Sequence, residues 1–364
     1  MNIGILTFPT AINYGTSLQA AALRKVLSSD NNNVSFLNHR CPLIDSTNSV
    51  FDLKNIFDVK YTIAHLINLS VAIKRTNNFK KFGKKYIPLS KDNPSEYDII
   101  VAGSDQIWNY NLTDNDFYYF LDFPKNNTKK VSYAGSFGLS SLEEKYHEKI
   151  ANLLSDFDFI SVREKQAAKI IKDISGKDVP VVCDPTLLLT KEDWKNICQK
   201  DSSKQKGGYI FVYTVFNSEN IWNYAEELSK KTGLPVKTIS YSKLHRHNAD
   251  YDFTAGPDDW VNYMLDADYV VTNSFHGVAF SINFEKNFFF DMPPAKAGVG
   301  SRISDITERY GLTARNISGD NFTPTIDYPD FTQKKELLEK DRQFSFDFID
   351  SFLPPLHESE GGKL

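Results

Sequence analysis

The sequence predicts two α/β halves, each a doubly wound parallel sheet, with a helix closing the chain. Three observations carry this reading. A chain of 364 residues is too long for one ordinary core. Short runs, apolar on both parities as doubly covered strands should be, alternate with helical patterns. A polar stretch at Gln199–Gly208 ends in a glycine pair and separates two rounds of that alternation. The composition, 41% hydrophobic and 24% charged, excludes disorder, collagen and coiled coil. No run approaches the roughly 18 apolar residues of a membrane span, and a net charge of -4 argues against a general nucleic-acid binder.

In the first half the strand-like runs are Ile3–Phe8, Val34–Leu37, Tyr97–Ala102, Val131–Ala134, Phe159–Val162 and Val179–Cys183. Thr16-Ser17-Leu18-Gln19 reads as a capping box that opens a helix with Leu23 and Leu27 on one face. Strand, helix, strand in repetition implies a parallel sheet with right-handed crossovers. After the break come strand Tyr209–Thr214, a helix from about Ser218 to Lys231, strand Val236–Ser240 and a helix near Asp258–Leu265. Strand Tyr269–Thr272, a helix after His276 and strand Asn287–Phe290 follow, and Lys334–Phe352 is helical again. The expected units are therefore 1–200, 207–330 and a closing helix within 331–354. Met1–Leu6 reads as a buried strand rather than a secretory leader, and the cysteines, Cys41, Cys183 and Cys198, form no CxxC pair or metal cluster. Both predict a cytoplasmic protein without structural zinc.

In open α/β sheets ligands bind outside the carboxyl ends of the strands, so the residues after each strand are the candidates. Asn13-Tyr14-Gly15-Thr16 follows the first strand, Gly103-Ser104-Asp105-Gln106-Ile107-Trp108-Asn109 the third, Arg163-Glu164 the fifth, and Asn273-Ser274-Phe275-His276-Gly277 the strand Tyr269–Thr272. Each also has a plainer reading: Asn13-Tyr14-Gly15 as a turn, Trp108 as a core anchor, Arg163 as a surface ion pair, His276 as a cap or polar filler. Of the seven histidines, His276 alone follows a buried strand and opens a helix, whose free N–H groups favour anions. His245 and His247 make a weak metal pair. Lys296 and Arg302 follow the next strand and suit phosphate or carboxylate. Neither a Walker loop nor GxGxxG follows the first strand, which argues against ATP or NAD. The basic run Lys74–Lys85 reads as a solvated helix face or as a contact with an anionic membrane surface.

These motifs resemble the polysaccharide pyruvyl transferase family. The resemblance is carried by Asn13-Tyr14-Gly15 with Leu18-Gln19-Ala20, by Gly103–Asn109, by Ser161-Val162-Arg163-Glu164, by Asp184-Pro185-Thr186 and by Thr272–Gly277, and runs from about residue 3 to 312. It implies a GT-B-like fold of two Rossmann-like domains facing a cleft, the last helix often crossing back to the first domain. It implies transfer of pyruvate from phosphoenolpyruvate, as co-substrate and with no cofactor or metal, to two hydroxyls of a sugar, giving a cyclic ketal. The family histidine corresponds to His276, with Ser274 where the family motif has arginine, and Arg163 matches the strand-end arginine. Lys296 falls near a family lysine, and Arg302 stands in for the missing charge.

Phosphoenolpyruvate carries a phosphate and a carboxylate, so its pocket must be cationic. Arg163, Lys296 and Arg302, with Ser274 and His276, are the expected donor contacts, and His276 the acid or base. Asn13, Tyr14, Asp105 and Gln106 are expected to bind the acceptor, with Trp108 stacked on a sugar face. That acceptor is expected to be a galactose-type sugar of a glycan or a lipid-linked oligosaccharide, met at the inner face of the plasma membrane. Two rivals remain: a GT-B glycosyltransferase using a nucleotide-sugar donor, and a non-catalytic glycan-binding protein on the same scaffold.

Overall fold

The computed structural model describes residues 1–47, 59–90, 93–198, 207–244, 247–294, 300–319, 322 and 325–353. The first half contains β1 (Asn2–Leu6), α1 (Tyr14–Leu27), β2 (Asn33–Phe36), α2 (Pro42–Thr47) and α3 (Val59–Tyr86). It continues with β3 (Ile99–Gly103), β4 (Lys129–Gly135), α4 (His147–Ser155), β5 (Phe159–Val162) and α5 (Lys165–Ser175). Two short helices, α6 (Pro185–Leu188) and α7 (Lys191–Ile197), lead out of it. The second half contains β6 (Ile210–Tyr213), α8 (Glu219–Thr232), β7 (Val236–Ile239), β8 (Asp250–Asp252) and α9 (Pro257–Asp266). Then come β9 (Tyr269–Thr272), α10 (Phe275–Asn283), β10 (Asn287–Phe290), α11 (Gly300–Arg309) and the long α12 (Thr332–Phe352).

Each half has one five-stranded sheet, ordered β2-β1-β3-β4-β5 and β10-β9-β6-β7-β8, and every pairing in both is parallel. Counted within each half, the first is the flavodoxin-like order 2-1-3-4-5 and the second the dinucleotide-fold order 3-2-1-4-5. The direction of winding reverses between β1 and β3 in one and between β6 and β9 in the other. The central strands β3 and β6 are buried at every residue, as strands covered on both faces require. Much of the predicted boundary, Gln199–Gly208, lies outside the described residues.

Two local expectations need correction, and one strand went without a sequence signal. Val179–Cys183 is not a strand: only one bridge, Val162 to Val181, joins it to β5. Pro180 has no N–H to offer a ladder, and Asp184-Pro185 turns the chain into α6 at once. Thr16 does not build a capping box. Asn13 is the N-cap of α1, its side chain accepting from the Thr16 N–H, and Gln19 donates to the Thr7 hydroxyl instead of reaching back. The strand β8 carries Asp250, Tyr251 and Asp252, a mixed pattern that gave no apolar signal.

Several crossings tie the halves, through α3, α1 and α12 among others. From α3, Arg75 donates to Phe253 O and lies over the Tyr241 ring, and Asn78 donates to Thr254 O. Arg75 is therefore buried against the second half, and the basic run is not a uniformly solvated face. Tyr14, at the start of α1, donates its hydroxyl to Ala255 O. The helix α12 returns to the first half, as the resemblance implies: Ser345 Oγ accepts from Cys183 N–H, Phe348 packs on Tyr133 and Phe352 on Phe159. Arg342, also on α12 and buried, donates to Leu187 O, Leu189 O and Asn283 Oδ1. No helix among the described residues is long and apolar enough to cross a membrane.

Candidate active site

The carboxyl ends of the two sheets converge on His276. Ser274 is the N-cap of α10 and accepts from the Gly277 N–H, which presents His276 in the first helical turn. The imidazole lies directly on Gly15 of α1: a Cβ at that glycine would stand 2.0 Å from His276 Nδ1. Only glycine lets the ring approach so closely. On its other side His276 Nε2 is 3.9 Å from Asp184 Oδ2 and has no hydrogen-bond partner.

Asp184 organises the first-half side of the site. As the N-cap of α6 it accepts through Oδ1 from the Thr186 N–H and hydroxyl, and through Oδ2 from Ser104 Oγ and Arg163 Nη1. Arg163 follows β5, is buried, and has Glu164 at 3.7 Å and Asp105 at 3.9 Å. Its Nε and Nη2 nevertheless lack hydrogen-bond partners, as does Arg302 Nε across the cleft. Both guanidiniums lie near the Phe275 ring, whose centroid is 4.9 Å from Arg163 Cζ and 5.8 Å from Arg302 Cζ. Buried polar groups are nearly always bonded. Here five buried atoms (these three, His276 Nε2 and Glu164 Oε2) are not, and they lie together.

The charges follow from burial and neighbours. Burial opposes the Asp184 charge, but His276 and Arg163 outweigh it and bring the carboxyl down to about 2. Burial works against Arg163 as well, yet Asp184, Glu164 and Asp105 hold it firmly protonated. Burial, with the Arg163 charge beside it, lowers Arg302 to about 10. Burial pushes Glu164 up. His276 is pushed below the ordinary histidine value by burial, more than Asp184 can offset, so the neutral imidazole prevails at pH 7. A cavity of about 540 Å³ opens from Arg163, Phe275 and Arg302 toward α11 and α12, its lining holding five cations against three carboxylates.

The expected donor residues Arg163, His276 and Arg302 are thus brought together; Ser274 is buried beside them as the cap, and Lys296 lies outside the described residues. The expected acceptor set is not a single surface. Asp105, held at φ 73°, accepts from the Thr16 hydroxyl and joins the charged cluster. Gln106 accepts from Asn109 Nδ2, and Asn13 is an exposed cap. Tyr14 and Trp108 are fully buried. Trp108 packs between Phe120 and Phe137 and donates to Tyr119 O, so its indole offers no face to a sugar. His247 stacks on Trp222, and His245 lies outside the described residues. Gly15, Glu164 and Phe275 lie in the candidate segments after the strands and Asp184 in a resemblance motif, but the sequence assigns none of the four a role of its own. The Asp-Pro-Thr cap directly after a strand-like run was the signal available for Asp184.

Residues 13–290 match the sequence model of a family described as polysaccharide pyruvyl transferase. No curated protein matches the chain. Among solved structures, it aligns with the S. aureus MnaA-UDP co-structure at a TM-score of 0.46 and 12% identity, over 96% of this chain and 88% of that one. With the UDP-GlcNAc 2-epimerase from Methanocaldococcus jannaschii the TM-score is 0.44 at 11% identity, over 95% and 100%. With the E. coli heptosyltransferase WaaC with ADP it is 0.37 at 9% identity, over 94% and 100%.

Proposed function

Because the chain belongs to the polysaccharide pyruvyl transferase family, we propose that it moves pyruvate from phosphoenolpyruvate onto two hydroxyls of one sugar, releasing phosphate and leaving a cyclic ketal. The observation that best supports this reading is the pair of buried guanidiniums, Arg163 and Arg302, with unpartnered N–H groups beside a neutral His276. A ligand with two anionic groups on one carbon would satisfy them with charge-assisted bonds.

In this scheme His276 Nε2 takes the proton of the first sugar hydroxyl as its oxygen bonds to the enol carbon. That proton ends on the methylene carbon, which becomes a methyl group. The carbon–oxygen bond to phosphate then breaks, its electrons leaving with the phosphate, and the second hydroxyl adds in its place. The second hydroxyl's proton departs with the phosphate. Arg302 and Arg163 stabilise the departing charge, and Asp184 fixes Arg163 in position. Holding both hydroxyls over one carbon supplies much of the rate. The balance closes without a metal or redox cofactor. A galactose-type sugar of a glycan, met at the inner membrane face, remains the acceptor we favour.

The deciding experiment is phosphate release from phosphoenolpyruvate with a panel of p-nitrophenyl and lipid-linked galactosides, alongside calorimetry with phosphoenolpyruvate and with UDP- and GDP-sugars. Acceptor-dependent release, lost in Arg302→Gln, is expected. Tight binding of a nucleotide sugar with no phosphate release from any acceptor would discard the reading.

A further inference from the structure

The connection from β8 to α9, residues 253–256, is held from outside its own half. Its N–H groups are satisfied at home: Thr254 and Ala255 donate theirs to Asp252 Oδ1, and Gly256 donates to Asp259 Oδ2. Asp252 is fixed in turn by the Tyr263 hydroxyl, which donates to its other oxygen. Three successive carbonyls are left for the first half, and each receives a side chain from it. Arg75 donates to Phe253 O at 3.2 Å, Asn78 to Thr254 O at 2.9 Å and Tyr14 to Ala255 O at 2.9 Å. The approach is close: a Cβ at Gly256 would stand 3.0 Å from Asn78 Cβ.

Tyr14 differs from the other two donors in what it adjoins. The next residue, Gly15, is the seat of the His276 ring, where an added Cβ would stand 2.0 Å from Nδ1. The Tyr14 ring is buried against Phe79 of its own half and against Tyr213 and Trp260 of the other, at centroid distances of 5.0, 5.9 and 6.4 Å. The ring therefore supplies packing, and the hydroxyl supplies direction, because a hydrogen bond has a preferred length and angle. Gly15 and His276 belong to different halves, so a bond within one half cannot set their separation. The Tyr14 bond crosses between the halves one residue away.

We propose that Tyr14 is a positioning residue: its hydroxyl, anchored on Ala255 O, sets the seat of His276 on Gly15 and so the reach of Nε2 toward the reacting hydroxyl. Tyr14 touches no substrate in this role. Its effect on rate rests on the pyruvyl-transfer reading; its placement of the ring does not. Rate is steep in such displacements, since a misplacement of about 1 Å costs on the order of 10²-fold. Removing the hydroxyl alone leaves the carbonyl of buried Ala255 short of a donor and frees the start of α1 to settle elsewhere.

The test is a double-mutant cycle between Tyr14→Phe and His276→Ala, read by acceptor-dependent phosphate release from phosphoenolpyruvate, with imidazole NMR of the full chain as a second readout. Tyr14→Phe is expected to lower kcat by at least about tenfold. The KM for phosphoenolpyruvate should stay within about twofold, because Arg163 keeps its bond to Asp184. In the His276→Ala background the same substitution is expected to change kcat by less than about twofold, as befits a residue that acts through the imidazole. The His276 ring resonances, assigned by their loss in His276→Ala, are expected to shift in Tyr14→Phe while those of the other histidines stay. A kcat like the parent's, an equal loss with and without His276, or unmoved His276 resonances overturns the proposal. Should Tyr14→Phe have a lowered Tm, Asn78→Ala, which breaks the neighbouring bond of the same connection, carries the cycle with the same outcomes. If the parent never releases phosphate from phosphoenolpyruvate, the transfer reading fails, and the His276 resonances alone decide whether Tyr14 seats the ring.

Discussion

The loop after β3, Gly103–Asn109, and the loop after β9, Asn273–Gly277, occupy matching positions in their sheets and carry the same kinds of residue: small, amide and aromatic with one titratable group. They serve different ends. In the first the polar side chains are all bonded, Ser104 to Asp184, Asp105 to Thr16 and Gln106 to Asn109, and the indole of Trp108 is sealed in the core. In the second the cap satisfies Ser274 and Gly277 but leaves His276 Nε2 buried and unpartnered beside Asp184. Residue type marks where a ligand can approach. What sets the second loop apart is that its unmade hydrogen bond lies in a cluster of five such atoms with Arg163, Glu164 and Arg302, a cost in stability that a ligand completing them would relieve.

The largest effect expected is from His276→Ala. Loss of a positioned proton carrier should lower kcat about 10²–10⁴-fold, with little change in Tm. A variant that keeps its rate would reduce the second loop to the standing of the first. Trp108→Ala should do the reverse, destabilising the chain by about 3–5 kcal/mol in urea unfolding. Its companion, Trp108→Phe, should retain acceptor KM; a tenfold rise in KM with native stability would restore the indole as a ligand contact. Gly15→Ala comes next. Its methyl must displace the His276 ring, and a shift near 1 Å costs about 10²-fold in rate, read as kcat loss with the CD spectrum unchanged.

The smallest effect is the pH profile. The folded-state value of His276 lies below 6.5, so its neutral form dominates at pH 7. With His276 as base, kcat/KM should be flat above about pH 6.5 and fall toward tenfold per unit once pH drops below the folded value. A rate that climbs as pH falls would make it the acid. The same depression means that the unfolded chain takes the proton first. Stability should therefore be full above pH 6.5 and decline as pH falls from 6.5 toward the folded value, a decline that His276→Gln should remove.

Much of this was legible in the sequence. Apolar runs pick out nine of the ten strands among the described residues, and one run, Val179–Cys183, that is not a strand, because strands buried on both faces advertise themselves. The return of α12 came from the family resemblance, and the pairing of Arg163 with His276 from the residues that follow β5 and β9. What stayed hidden has physical reasons. β8 is only part-buried and partly charged, so its pairing with β7 is set by tertiary context. Trp108 and a sugar-stacking tryptophan look alike in sequence; only packing against Phe120 and Phe137 separates them. Asp184 reads as a simple helix cap until the fold places Arg163, Ser104 and His276 around its second oxygen.

The crossing of α12 has a consequence for how the protein is made. Ser345, Phe348 and Phe352 complete the packing of the first sheet against Cys183, Tyr133 and Phe159, yet the whole second half is synthesised before them. Domains ordinarily mature in order as they leave the ribosome. Here the leading lobe must wait, part of its apolar surface bare, until α12 emerges and docks.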